Sequence, residues 1–382
     1  MLLNSVGMMG ENVVLGWLTL ELTNSPFMVG AAMGMRALPL FFVGVPAGAV
    51  ADRFSRRRLL MVTGLCQALV ATSLGIVVLL GAVTVTYVML LTLAAGVLRG
   101  VEHAARQSYA HDVVGPAALV SGLAVLGVAM RVGWLVGSLG VGAVIARFGA
   151  GFAYLAVAAG FLASAAVLWS STAPRRARGA AVGSLWQSVV DFLVAMGRHR
   201  TLLVLMMLTA GAEVLGFAHQ AVLPSLARDV LGVGPEGLGA LYAARAVGGV
   251  AGLAMATTRG NAGGSVFVAV LLTFGVSLIL LGGAPYVVGF AGVFVVVVVV
   301  NAAGALADLF AQSLLQLSVP AELRGRAGGA WVVAIGLAPL GQLQIGALAS
   351  LFGVSIALGA SGLALVILVG ATAMAFPRVK RV

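Results

Sequence analysis

Charge is scarce in this chain. Only 9% of its 382 residues are Asp, Glu, Lys or Arg, and a single lysine, Lys380, stands near the C-terminus. With no internal lysine there is no phosphate-cradling P-loop, so a nucleotide-driven motor of that type is excluded. The single cysteine, Cys66, rules out an internal disulfide and a thiolate metal cage, and within its apolar run it reads as packing. His103 and His111 have no carboxylate pattern around them that marks a metal site, so neither metal nor cofactor is expected. Polar surface is lacking as well: 61% of residues are hydrophobic and the mean hydropathy is +1.13, against roughly 45–50% apolar in a soluble domain. A chain this apolar cannot cover itself with a water-facing shell. Its solvent is lipid.

In hydrocarbon every backbone polar group needs a partner, which leaves helices or closed barrels. The apolar runs are long and do not alternate with period two, so helices are expected. Runs of about 20 residues predict an all-α polytopic membrane protein with twelve transmembrane helices. They lie at 1–22, 27–51, 59–81, 84–106, 117–146, 150–172, 201–226, 236–258, 264–283, 286–312, 326–350 and 353–376. Counting Arg99 and Arg106, at the inner end of the fourth span, with the turn that follows it, seventeen of the basic residues fall to turns after even-numbered spans or to the C-terminus, and two, Arg147 and Arg228, to turns after odd-numbered spans. By the positive-inside rule the even turns and both termini face the cytoplasm of a multi-pass membrane protein. The formal net charge of +11 is then a topology signal, and nucleic acid is not an expected partner.

Met1 opens directly in apolar sequence, and Glu11 interrupts that run, so it does not read as a signal peptide. The expectation is that a short tail and part of the first helix precede the sequence given. The one long polar connection, 173–200, has a stripe of Leu185, Val189, Phe192 and Met196 with Ser184, Gln187, Ser188 and Asp191 opposite. It reads as an amphipathic helix on the membrane surface, or as a plain connector. This divides the chain into an N-terminal six-helix bundle (1–172), a linker (173–200), a C-terminal six-helix bundle (201–376) and a basic tail (377–382).

The halves repeat. GAAMGMRAL (30–38) aligns with GALYAARAV (239–247), pairing Arg36 with Arg245, and the same offset sets Asp52 against Asn261. RQSYAHDVVGP (106–116) and AQSLLQLSVP (311–320) share Gln-Ser followed by a proline. An even number of spans separates the copies, so the repeats are parallel and the bundles are related by a pseudo-twofold along the membrane normal.

Five charges crowd into the turn between the second and third spans: Asp52, Arg53, Arg56, Arg57 and Arg58. The pattern Gly48-x-x-x-Asp52-Arg53-x-x-Arg56-Arg57, followed by Leu59 and Leu60, resembles the signature of the major facilitator superfamily, with Ser55 where a glycine is usual. LTLELTNSPFMVG (18–30), ALPLFF (37–42) and VPAELRGRAGGAW (319–331) resemble its bacterial branch of enterobactin-type siderophore exporters and multidrug efflux permeases. The resemblance implies two bundles that rock about a central site, with Asp52 and the arginines as a cytoplasmic latch and Glu102 as a partner for an arginine. The plain alternative is that these arginines only anchor topology. The second copy, TTRGNAGG (257–264), has Asn261 in place of the aspartate, so the latch is expected in the N-terminal half alone.

Charges inside spans are functional candidates by default. Glu11 and Arg36 lie roughly 15–18 Å deep at 1.5 Å per residue, and Glu213 and Arg245 lie at a similar depth in the second half. Two acid–base pairs are expected to line a central cavity, a carboxylate carrying the proton and an arginine tuning it or holding an anionic group. Static pairs stapling helices are the alternative. Arg131 matches an arginine position of the resembled branch, where a Gly-Pro motif follows. Here Gly133 and Gly137 remain but the proline is missing, whereas Pro339 and Gly341 stand on the eleventh span; all four read as packing and bending elements. His219 is either a proton relay or a polar residue satisfied within the bundle. The resulting expectation is a non-enzymatic, monomeric secondary transporter that exports a small amphipathic molecule of the drug or siderophore kind by alternating access, with protons as partners and the proton gradient as energy source. An importer of the same fold and a non-transporting receptor or scaffold are the alternatives.

Overall fold

The computed structural model describes residues 1–114, 119–170, 200–259, 263–318 and 334–381, with the side chains of 40, 41, 43–53, 104, 107, 108, 110–114, 119–121, 123, 124, 257–259, 380 and 381 outside that description. The described residues contain helices and no strand. In chain order the first four are α1 (Leu2–Thr23), α2 (Pro26–Arg53), α3 (Arg56–Leu79) and α4 (Val85–Val114). The run Leu119–Ser170 is broken at Gly149 into α5 (119–148) and α6 (150–170). They are followed by α7 (Arg200–Val230), α8 (Pro235–Arg259), α9 (Gly264–Val287), α10 (Gly289–Leu317), α11 (Ala338–Phe352) and α12 (Val354–Ala375). The order fits twelve spans. Among the described residues eight runs are long and apolar enough to cross a membrane, and one of them, Val125–Ser170 at 46 residues, is about two spans of the usual ~20 residues. The sequence expectation set Arg99 and Arg106 in a turn. Both instead lie on α4, which continues to Val114, and Arg99 falls inside the apolar run Val85–His103.

Burial is inverted relative to a water-soluble protein. Asn4, Ser5, Arg36, Gln67, Glu102, Glu213, His219 and Asn301 are buried, whereas Leu69, Val125, Trp169, Ile356 and Met374 are exposed. Apolar side chains on the outside cost nothing in lipid, so the polar groups collect where they can find partners.

Two compact units emerge: Met1–Asn24, Met35–Val182 and Val233–Ala243 form the first, and Ser25–Gly34, Gly183–Gly232 and Ala244–Val382 the second. Relative to the sequence halves, the N-terminal ends of α2 and α8 are exchanged. The linker expected at 173–200 lies outside the described residues except Arg200.

Within each unit the helices approach through glycine. In the first, a Cβ at Gly133 would stand 2.6 Å from the Leu2 carbonyl oxygen, and one at Gly137 would run into the Val6 carbonyl, so α5 lies directly on α1. A Cβ at Gly239 would stand 2.6 Å from the Ser138 carbonyl oxygen, seating the start of α8 on α5. The second unit repeats the device: Gly30 abuts the Gln342 carbonyl of α11, and the Phe27 amide donates to Ser350 Oγ at 2.9 Å. Small residues let backbones meet where lipid offers no hydrophobic drive between helices. One-residue links join α5 to α6 and α11 to α12: Gly149 at φ 84°, ψ 173° and Gly353 at φ 86°, ψ 158°. That region of backbone space is essentially open to glycine alone.

Candidate functional site

In the first unit α1 and α2 bring Glu11 and Arg36 together. Arg36 Nη2 lies 2.6 Å from Glu11 Oε2 and 3.4 Å from the Met8 carbonyl oxygen, with side-chain exposures of 5% for Arg36 and 13% for Glu11. This is one of the two expected pairs. α4 crosses α2 at the same level, because a Cβ at Gly96 would stand 2.5 Å from the Arg36 carbonyl oxygen. Further along α4, Glu102 accepts from Gln67 Nε2 at 3.2 Å and meets Arg106 Nη1 at 3.5 Å. Glu102 was expected to partner an arginine, and the i,i+4 spacing on its own helix brings Arg106 to it.

The latch residues Gly48, Asp52 and Arg53 end α2, and their side chains lie outside the described residues. Arg57, at the start of α3, is described. Its Nε donates to the Leu168 carbonyl at 2.7 Å and Nη2 donates to the Trp169 carbonyl. A cation at these last carbonyls of α6 meets the negative end of the helix dipole and satisfies acceptors with no intrahelical partner. Ser55, in place of the usual glycine, caps α3 by accepting from the Arg58 amide at 3.3 Å. Arg56 is half-buried and Arg58 exposed.

The second unit differs. Among the described residues no ion pair joins Glu213 to Arg245. Arg245 Nε donates to Asn301 Oδ1 at 3.3 Å, and Asn301 Nδ2 reaches the Val297 carbonyl at 2.9 Å and His219 Nε2 at 3.5 Å. On the alignment that pairs Gln107 with Gln312, Asn301 stands opposite Gly96. α10 therefore offers a side-chain acceptor where α4 offers only backbone, and Arg245 takes it. His219 Nδ1 is 2.8 Å from the Gly216 carbonyl oxygen, so this imidazole is held on both sides within the unit.

Glu213 lies on the irregular part of α7. The helix runs regularly over Arg200–Gly211, widens to a π-turn at Ala212–Gly216, tightens to a 3-10 stretch at Phe217–Val222, and widens again at Leu226–Val230. Pro224 supplies a cause: it has no N–H to donate and its ring crowds the carbonyl four residues back. π-turns inside helices recur at functional positions. The Glu213 carboxylate is buried, and Asp308 on α10 is its charged neighbour.

Arg131 lies over the Trp134 ring, 5.5 Å from its centroid. Gly133 and Gly137 pack against α1 as expected of small residues. Pro339 sits in the first turn of α11, where its missing N–H is harmless, after a turn at 336–337. A Cβ at Gly341 would stand 2.5 Å from the Val214 carbonyl oxygen, which places α11 against the π-turn that carries Glu213.

Sequence reasoning missed Asp308, Asn301 and the place of Arg99 within α4. Asp308 was legible by the rule that singled out Glu213, an acid within an apolar run. Among the described residues no group of three His, Cys, Asp or Glu gathers that could hold a metal.

Comparison with known proteins agrees with this architecture. Solved structures with the same fold include a bacterial homologue of the lysosomal transporter Spinster, inward-facing and occupied (TM-score 0.75, 16% identity, covering 100% of this chain and 96% of that one). A nucleoside transporter, NupG, aligns with a TM-score of 0.77 at 14% identity over 98% of this chain and 99% of that one. A peptide transporter of the POT type aligns with a TM-score of 0.83 at 13% identity over 99% and 93%. No curated protein matches the chain. The transmembrane secretion effector family matches residues 1–382 from end to end. The chain is a multi-pass membrane transporter with the major facilitator fold, not an enzyme, and belongs to the transmembrane secretion effector family of the major facilitator superfamily.

Proposed function

We propose that the protein is a proton-coupled exporter of small amphipathic molecules of the drug or siderophore kind, working as a monomer by alternating access in a bacterial inner membrane. The observation that carries this reading is Glu213, a buried carboxylate on a π-turn with no ion-pair partner among the described residues. A membrane carboxylate that no cation holds is free to change protonation as its surroundings change, and a carrier needs that property. Glu11 is instead neutralised by Arg36. In this reading Glu213 carries the proton and Glu11–Arg36 fixes the wall of the first bundle.

The latch belongs to the same proposal. Asp52 and Arg53 hold the cytoplasmic side shut, Arg57 ties α3 to the end of α6, and the loop between α2 and α3 faces the cytoplasm with both termini. The basic residues of that loop support this orientation.

Proteoliposomes test the reading. With an imposed pH gradient and a panel of fluorescent lipophilic cations and anions, gradient-driven movement of at least one probe is expected. Movement of every probe at the rate of protein-free vesicles contradicts it, and movement against the predicted direction selects import.

A further inference from the structure

Among the described residues, the first unit holds a cluster around α4 with one more cation than carboxylates. Along α4, Gly96, Arg99, Glu102 and Arg106 recur at helical spacing on one side. Glu102 is committed to Arg106 and Gln67, and Glu11 to Arg36. Arg99 stands between these two groups, with Arg36, Glu11, Glu102 and Arg106 as its charged neighbours. Three guanidiniums therefore face two carboxylates. Arg99 makes no ion pair among the described residues, and its Nη2 is buried with no hydrogen-bond partner.

Two more donors in this neighbourhood lack an acceptor among the described residues. Arg36 is 95% buried by its 5% exposure, yet its Nε has no partner. The Tyr154 hydroxyl on α6, whose charged neighbours are Glu11 and Arg36, is also buried and unpaired. Buried donors left without an acceptor are costly. Arg99 neighbours Arg36, and Arg36 neighbours Tyr154, so the three donors without an acceptor follow one another from α4 through α2 to α6. Guanidinium forks suit planar oxyanions, which take two N–H bonds side by side.

We propose that Arg99 and Arg36, with Tyr154 as a further donor, bind the single negative group of the transported molecule, a carboxylate or sulfonate. Among these described side chains one positive charge is left over, which a single carboxylate or sulfonate would cover. The assignment rests on the transport reading only in naming the transported molecule as the ligand, and the site itself lies wholly within the first unit. It narrows the substrate class to amphipathic monoanions.

The test uses the full chain in phosphatidylcholine nanodiscs, titrated calorimetrically with 2-naphthoate and with the neutral isostere 2-naphthamide. The wild type is expected to bind the acid at least tenfold tighter than the amide. Arg99→Gln is expected to lose that preference, and Arg99→Lys, which keeps the charge without the fork, to retain part of it. Arg99→Gln is also expected to melt no lower than the wild type, because it removes an unpaired charge; a lower melting temperature would mark Arg99 as a structural counter-charge and overturn the assignment. Equal affinity for acid and amide, no binding of the acid at millimolar concentration, or binding unchanged in Arg99→Gln also overturns it. A second set of nanodiscs containing phosphatidylglycerol separates sources. If anionic lipid abolishes naphthoate binding, the occupant is a lipid headgroup and the substrate assignment falls. If naphthoate binds through Arg99 but no probe moves in proteoliposomes, the anion site stands and the transport reading fails.

Discussion

Arg36 Nη2 meets Glu11 Oε2 at 2.6 Å, so α1 and α2 are joined by an ion pair that is almost entirely out of solvent. Its desolvation is severe, and removing one partner leaves the other charged and buried. Arg36→Leu should therefore destabilise the first unit by about 3 kcal/mol. The double change Glu11→Leu with Arg36→Leu should recover most of that loss. SDS-driven unfolding in a mild detergent reads both. Equal losses in the single and double variants would mean that packing, not the charge pair, sets the cost.

Arg57 closes the end of α6 through the carbonyls of Leu168 and Trp169. Arg57→Ala removes a charge-assisted cap and should cost about 1 kcal/mol after allowance for its partial exposure. Arg58→Ala, next along the chain and exposed, should cost less than about 0.5 kcal/mol. Thermal melts of the two variants side by side give the comparison, and a larger effect at Arg58 would contradict the cap.

Gly137 and Gly140 lie one turn apart on α5 and meet different surroundings. A Cβ at Gly137 would strike the Val6 carbonyl of α1, whereas at Gly140 nothing lies within 4 Å. Gly137→Ala should thus destabilise by about 1–3 kcal/mol through forced separation of the helices. Gly140→Ala should be neutral or stabilise by up to about 1 kcal/mol, since alanine is the better helix former. The sign of the difference in melting temperature decides the matter.

Asn301 binds Arg245 and His219 through one side-chain amide. Asn301→Leu leaves the Arg245 guanidinium and the buried imidazole each short of a partner and should cost about 2 kcal/mol. Asn301→Gln, with the same chemistry one methylene longer, should cost less. If leucine proves harmless, the amide is a bystander to the cluster.

How much of this was legible beforehand depends on the kind of signal. The long apolar runs and the arginine-rich turn between α2 and α3 carry the fold, because lipid admits so few backbone arrangements. The Glu11–Arg36 pair followed from depth alone. The second pair did not, because the repeat that aligns Arg36 with Arg245 says nothing of what lies opposite. Asn301 replaces a glycine there, and a neutral acceptor competes for the guanidinium. The irregularity of α7 was hinted at by Pro224, but π-turns leave no composition signature. Arg99 was read as a loop residue because a charge near the expected end of a span looks like a topology signal. Its place on a longer helix makes it a half-buried cation with one nitrogen out of solvent.

The central claim is that Glu213 carries the proton, and the most direct measurement separates exchange from gradient-driven transport. Proteoliposomes holding the wild type or Glu213→Gln would be loaded with a probe that the wild type moves. Two rates would then be taken, one with a pH gradient and one for probe-against-probe exchange without it. The account predicts that Glu213→Gln loses the gradient-driven rate while keeping exchange within about twofold, because a fixed neutral amide can cycle with substrate but not with a proton. Gradient-driven transport undiminished in Glu213→Gln would contradict the account and move the proton to another carboxylate.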